Sequence, residues 1–328
     1  MTTQPVDVLV VTALQLERRA VRAHLDNLRV ESASSLAADV GTRPTTPQQR
    51  IAVIETGAGN VAAALLTVRA EETFRPRFVV MLGIAGGIKD VAIGDVVVAS
   101  KVYWIEGGKL APNLMPRPDF APVSGELLQL ARAVASDGTW RSSGRGDAGG
   151  WPGAGRAPVA IVAPVVVGEK VVADRSSESA RLIAQTYSDA VAVDMEDFGA
   201  LRGGAASERA SVLAIRGISD LLSEKGDADA RGSQPLAAAN AAAFLFDLLD
   251  RLPSQPPVAA SPTADDHVSR IIRAGRELYP EGPQQDGLWE RAGGDLSRLR
   301  MEGPGSTRWW NGIQLVTKGG GGMSPLIR

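Results

Sequence analysis

Cysteine is absent from the 328 residues, and histidine occurs only as His24 and His267. That removes disulfide frameworks, thiol nucleophiles and Cys/His zinc sites from consideration. Aromatic residues make up 5% of the chain, the net charge is −2, and no block of lysine or arginine stands out. Affinity for a nucleic-acid polymer through phosphate neutralisation therefore has no footing. No apolar run approaches the roughly 20 residues that cross a bilayer, and the amino terminus, MTTQPVDVLVV, has no basic leader. A cytoplasmic protein with no membrane segment is expected. Any catalysis has to rest on carboxylates, and neither a metal nor an organic cofactor is expected.

The hydrophobic fraction is 44%, ordinary for a buried core, in a chain long enough for one large domain and an appendage. Strand-like and helix-like segments alternate from residue 6 to about residue 250, as in an α/β sheet covered by helices on both faces. The pattern predicts strands over Val6–Ala13, Ile51–Glu55, Phe78–Leu82, Asp95–Trp104, Val159–Val167, Ala190–Val193 and Ser211–Gly217. Helices are predicted over Leu14–Asp26, Asn60–Phe74, Ser124–Ser136, Ser176–Thr186, Glu196–Gly203 and Gln234–Leu252. Ser136–Ala157, rich in Gly, Ser and Arg, reads as a flexible surface insertion. Pro253–Ala264, PSQPPVAASPTA, favours extended backbone and reads as a linker. The expected organisation is a catalytic domain over 1–252, a linker over 253–264 and a small all-α domain over 265–328, which holds three of the six tryptophans.

The most informative stretch is Val212–Asp220, VLAIRGISD: a buried strand that delivers Ser219 and Asp220 at its carboxyl end, where open α/β sheets place ligands. Glu17 follows the first strand in the same way, and Glu196 follows Val191–Asp194, so three acids can converge on one rim. Each has a plainer reading. Glu17 at a helix start complements the helix dipole, and Asp194-Met195-Glu196-Asp197 is also an ordinary acidic helix start. The chemical reading is that Glu17 is a general base. Glu196 accepts hydrogen bonds from adjacent ribose hydroxyls while the Met195 thioether packs under the sugar or base. Glycines gather after two further strands, as Gly57-Ala58-Gly59-Asn60 and Gly83-Ile84-Ala85-Gly86-Gly87, where backbone N–H groups can approach a ligand. Neither matches a P-loop or a dinucleotide fingerprint.

In this order, TALQLE, ETGAGN, LGIAGGIKD, VDMED and RGISD resemble the nucleoside phosphorylase and nucleosidase superfamily over residues 6–252, most closely its methylthioadenosine/S-adenosylhomocysteine nucleosidase branch. The resemblance implies a three-layer α/β/α fold around a mixed, partly barrel-like sheet, and a homodimer. It implies that Glu17 deprotonates the attacking water, that Asp220, positioned by Ser219, protonates purine N7, and that Glu196 beside Met195 holds the ribose. Gly57, Gly83, Ile84, Ala85, Gly86, Lys170 and Val171 complete the expected substrate site.

The chain also departs from that pattern. Met81 and Ile84 stand where the superfamily's phosphorylases carry an Arg and a Ser for phosphate, so water is the expected nucleophile. Val171 stands where the nucleosidases stack an aromatic ring, and Lys170 beside it points either to a different base or more anionic substrate or to a solvated side chain. The expected substrate is a purine nucleoside or nucleotide, with base and 5′ substituent unassigned. Two other functions compete with hydrolysis: phosphorolysis by the same acids, and nucleotide sensing without turnover. The tail, through Glu277-Leu278-Tyr279-Pro280, Leu288–Leu296 and Gly303–Trp310, resembles a helical effector-associated domain, a death-fold-like adaptor of bacterial conflict systems. That resemblance implies a protein partner bound through residues 265–328.

Overall fold

Strand β1 (Val8–Thr12) is apolar on both sides, and its alternation divides it between two layers. Leu9 and Val11 point into one hydrophobic cluster and Val8 and Val10 into another, as the period of two in a strand requires. The computed structural model describes residues 4–33, 35–110, 114–142, 155–170, 176–207, 209–222, 232–252, 279–291, 295–299, 302 and 304–317. The chain divides into two compact units, Met1–Pro253 and Ser254–Arg328.

In the first unit β1 lies between β4 (Arg50–Glu55) and β5 (Phe78–Gly87), parallel to both. Outward from β4 lie β3 (Leu36–Thr42) and the edge strand β2 (Asp26–Ala33), both antiparallel. On the other side β5 pairs in parallel with β12 (Ser211–Leu221), then come β6 (Val96–Trp104), β10 (Ala160–Val167) and β11 (Ala192–Asp194). β11 also pairs antiparallel with β5, so five of the strands close into a ring; β7 (Gly108–Leu110) and β8 (Leu114–Pro116) pair with each other apart from it, and β9 (Asp119–Ala121) pairs antiparallel with β6. The sheet is mixed and partly barrel-like, as expected.

One face is covered by α1 (Gln15–Arg22), α3 (Gly125–Asp137) and α6 (Ser233–Asp250), whose apolar side chains fill one cluster. α6 is Ala-rich and buried almost all round, the pattern of a helix inside a core. The other face carries α2 (Asn60–Phe74) and α5 (Asp197–Gly204). A third cluster gathers Ala180 and Ile183 of α4 (Glu178–Thr186) around Val166 and Val193. In the second unit the regular elements among the described residues are helical, with Trp289 and Leu299 buried and the Trp309 indole donating to the Tyr279 carbonyl at 3.0 Å.

Several expectations need correction. The helix expected over Leu14–Asp26 ends at Arg22, and the chain turns into the β2–β3 hairpin, which sequence reading left out. β2 is an exposed edge strand whose only apolar alternation is Leu28 and Val30 against Arg29 and Glu31, with Val30 exposed, so its signal is short. Trp140, in the segment read as a flexible insertion, is fully buried against Phe244, while 143–154 lie outside the described residues. The linker 253–264 also lies outside them. The Gly83–Gly87 segment, expected as a loop, continues β5, and β12 runs on through Ser219 and Asp220 to Leu221 with a bulge between Ile218 and Asp220.

Gly217 shows why that long pairing needs a residue without a side chain: a Cβ there would overlap the Ala237 carbonyl of α6. Gly217→Ala should therefore cost about 2–3 kcal/mol of stability, the upper part of the range for overpacking. Urea denaturation of the full chain checks this, and an unchanged midpoint would contradict it.

Candidate active site

Glu17 occupies the third position of α1, where a glutamate can reach back to the donors that open a helix. Its Oε2 accepts from the N–H groups of Ala13 and Leu14, both at 2.8 Å. The plain helix-start reading is thus correct for one oxygen. The other crosses to β5, where Oε1 accepts from Ile84 N–H at 2.9 Å. Burial pushes the Glu17 carboxyl above its ordinary pKa, against the pull of Arg216 and these three N–H groups. A buried carboxylate with a raised pKa is a stronger base than a solvated one.

Glu196 sits at the β11–α5 turn, and its Oε1 accepts from Gly59 N–H at 2.9 Å. That bond ties it to the start of α2. Gly59 has φ of +101°, a backbone that a side chain would strain. Asn60 locks the same corner, its Oδ1 accepting from Gly199 N–H at 2.8 Å. Across the pocket the bulge in β12 presents Ser219 and Asp220, and the Ser219 hydroxyl donates to Asp220 Oδ1 at 2.7 Å.

Glu17, Ile84, Ala85, Gly86, Lys170, Met195, Glu196, Ser219 and Asp220 line one pocket of about 180 Å³. Gly57 and Gly83 do not line it. Gly57 stands just outside with φ of +78°, and Gly83 lies behind the wall between Arg216 and Glu17, where a Cβ would lie 2.6 Å from Glu17 Oε1. Val171 lies outside the described residues. Met81 is a core residue on the far side of the strand, so of the pair expected to bar phosphate only Ile84 faces the pocket. Lys170 Nζ pairs with Glu106 at 3.0 Å. Burial would raise the Glu106 carboxyl, but the Lys170 hydrogen bond and the Glu169 N–H outweigh it and hold it low.

Sequence reading missed Arg216, which lies behind the pocket and is fully buried. Its Nε and Nη2 donate to Asp197 Oδ1 at 2.9 and 2.7 Å, Nη2 also pairs with Asp194 and lies 3.5 Å from Glu196 Oε2, and Nη1 donates to the Ile84 carbonyl at 3.2 Å. Burial opposes the Arg216 charge, but Asp194, Asp197, Glu196 and Glu17 outweigh it and keep the guanidinium protonated. Asp194 has the opposite balance. Burial, with Asp197 and Glu196 alongside, outweighs Arg216 and lifts its carboxyl well above the usual carboxylate range. A lone arginine inside the apolar run VLAIRGIS was the available signal, since such a charge is almost never buried without acids around it.

A mixed sheet, helices on both faces and an acid-lined pocket at the carboxyl ends of β1, β5, β11 and β12 define a class of α/β proteins built around a small-molecule site. The chain belongs to the Phosphorylase superfamily, whose family profile matches residues 7–252. It is 24% identical over 207 residues, 61% of this chain and 82% of the relative, to a 5′-methylthioadenosine/S-adenosylhomocysteine nucleosidase of Listeria welshimeri. A shorter stretch of 63 residues, 17% of this chain and 12% of the relative, is 36% identical to the ATP nucleosidase Cap17 of Escherichia coli. The fold is like that of the 5′-methylthioadenosine/S-adenosylhomocysteine nucleosidase of Neisseria meningitidis in complex with methylthio-immucillin-A. That likeness has a TM-score of 0.59 at 23% identity and covers 75% of this chain and 99% of the other.

Removing the Arg216 charge strands buried carboxylates. Arg216→Gln should lower stability by about 3–5 kcal/mol. The stranded acids would have folded-state pKa values raised above their unfolded values, so stability is retained where they are protonated and lost as pH rises. The deficit against wild type should therefore grow between about pH 5 and about pH 8. Denaturant titrations at both values check this, and a deficit that shrinks toward high pH would refute the electrostatic account.

Proposed function

We propose that the first unit is a cytoplasmic hydrolase that cleaves the N-glycosidic bond of a purine nucleoside or nucleotide with water as nucleophile. The observation that carries this reading is the convergence of Glu17, Glu196 and the Ser219–Asp220 pair on one pocket. In the reaction the water oxygen attacks C1′ as Glu17 takes its proton. The C1′–N9 bond breaks with its electrons going to the base, and Asp220, in its acid form, donates a proton at N7. Glu196 accepts from the ribose hydroxyls above the Met195 thioether. Positive charge on the sugar and negative charge on the base develop only in the transition state, so carboxylate and proton donor act where they raise kcat.

Phosphorolysis is disfavoured by the same geometry. Glu17, Asp194, Glu196 and Asp220 line the pocket, and Lys170, its cationic side chain among the described residues, is engaged by Glu106. An oxyanion there would be buried against Ile84 and beside acids, a costly arrangement. A sensor without turnover would need Glu196 but not both a base and an N7 acid.

The homodimer reading gains support from Val61 and Leu65, 70% and 63% exposed one turn apart on α2, since adjacent exposed apolar side chains favour association. For residues 265–328 we propose an adaptor role, supported by the resemblance of that stretch to effector-associated domains.

With adenosine, 5′-methylthioadenosine and ATP as trial substrates, Asp220→Asn and Glu17→Gln should each lower kcat by about 10²–10⁴-fold with little change in KM. Glu196→Gln should raise KM as well, because ribose contacts exist before the reaction. Wild-type kcat in the first two variants would refute the assigned roles. Residues 1–252 alone should stay folded and release base while losing capture of a partner that binds the full chain. Insolubility, or loss of base release at saturating substrate, would make the tail part of the enzyme.

A further inference from the structure

Asp197 contributes nothing to the pocket wall, yet it holds Arg216 more fully than any residue that does. Its Oδ1 takes both Nε and Nη2, covering one edge of the guanidinium. With that edge fixed, the plane of the group is fixed, and Nη1 is turned to the Ile84 carbonyl and to Gly83. Glu17 Oε1 reaches the same glycine, so cation and base meet over Gly83. The position of Asp197 is itself rigid. It opens α5, whose first turn is held by Asp194 Oδ2 accepting from Asp197 N–H at 3.0 Å and by Gly199 N–H donating to Asn60.

We propose that Asp197 is a positioning residue of the hydrolytic site, acting through Arg216 to set both the posture of the guanidinium and the charge that Glu17 experiences. The inference rests on the hydrolase reading given above. One cation faces Glu17, Asp194, Glu196 and Asp197, and Asp197 takes up part of its field. Asp194 is hydrogen-bonded to Asp197, and burial lifts its pKa well above the usual range. At the Nε–Nη2 edge Asp197 Oδ1 accepts from both nitrogens, so its carboxylate is the counterion there. This keeps Arg216 from stabilising the Glu17 carboxylate so strongly that it ceases to be a useful base. The charged and titratable groups facing Glu17 among the described residues are Arg216 from β12, Asp194 and Glu196 from the β11–α5 turn, Asp220 beyond the bulge, and Lys170 across the pocket, itself paired with Glu106.

The test is the pH profile of kcat/KM for the full-length chain, using whichever of adenosine, 5′-methylthioadenosine and ATP the wild type cleaves fastest. Asp197→Asn preserves the acceptor oxygen and removes the charge. More of the Arg216 field then falls on Glu17, favouring its carboxylate, so the acidic limb should move to lower pH. kcat should fall roughly 10- to 100-fold, the scale of a small misplacement in a catalytic array, with KM changed little. If Asp197→Asn does not fold, Asp197→Ser, which retains a hydroxyl acceptor and a good helix-start residue, should show the same shift. An unmoved limb in the folded variant overturns the inference even if kcat falls, since a merely structural role lowers activity without moving the limb. A wild type that releases no base overturns the hydrolase reading and this inference with it.

Discussion

The guanidinium of Arg216 is the constraint around which the pocket is organised. It is fully buried inside a central strand, and acids from α1, the β11–α5 turn and α5 surround it. A buried charge of this kind is tolerable only with partners in good geometry, and the loss of a partner is far costlier than the loss of an exposed pair. The fold must therefore bring β1, β5, β11 and β12 to one place before the cation can be accommodated. Stability and site geometry are consequently linked: the contacts that keep Arg216 buried also set the field at Glu17 and Glu196.

Closure of the sheet makes that convergence possible. β11 carries only three residues, yet it pairs with β10 on one side and β5 on the other, placing the Asp194–Asp197 turn against the glycines of β5. Gly83 is where a Cβ would overlap Arg216 Nη1 and lie 2.6 Å from Glu17 Oε1. That glycine thus serves a packing purpose: it lets the base from α1 and the cation from β12 approach one another. The acids that line the pocket make it inhospitable to an anion beside C1′, which favours water over phosphate as nucleophile.

Much of this was legible in the sequence. The order of strands and helices follows from apolar periodicity, and Asn60–Phe74 is a helix over the residues that periodicity marks. Glu17, Glu196 and Asp220 could be singled out because each lies at or just past the carboxyl end of an apolar run. What could not be read has physical causes. The β2–β3 hairpin has only the short alternation Leu28 and Val30 on its exposed edge strand. Trp140 lies in a polar, glycine-rich run, and only the tertiary fold brings it to Phe244. The continuation of β5 and β12 beyond their apolar cores depends on pairing between strands more than 100 residues apart in sequence. Met81 looked like part of the site because it precedes the glycines, but strand alternation turns it into the core.

The central claim, that these acids direct water to a glycosidic carbon, is tested most directly by the identity of the sugar product. The full-length chain is incubated with adenosine, 5′-methylthioadenosine and ATP, with and without inorganic phosphate, and the products are separated and weighed by mass spectrometry. The account predicts free purine and a sugar with an unsubstituted anomeric hydroxyl, formed at a rate indifferent to phosphate. A pentose 1-phosphate that appears only when phosphate is added would contradict it.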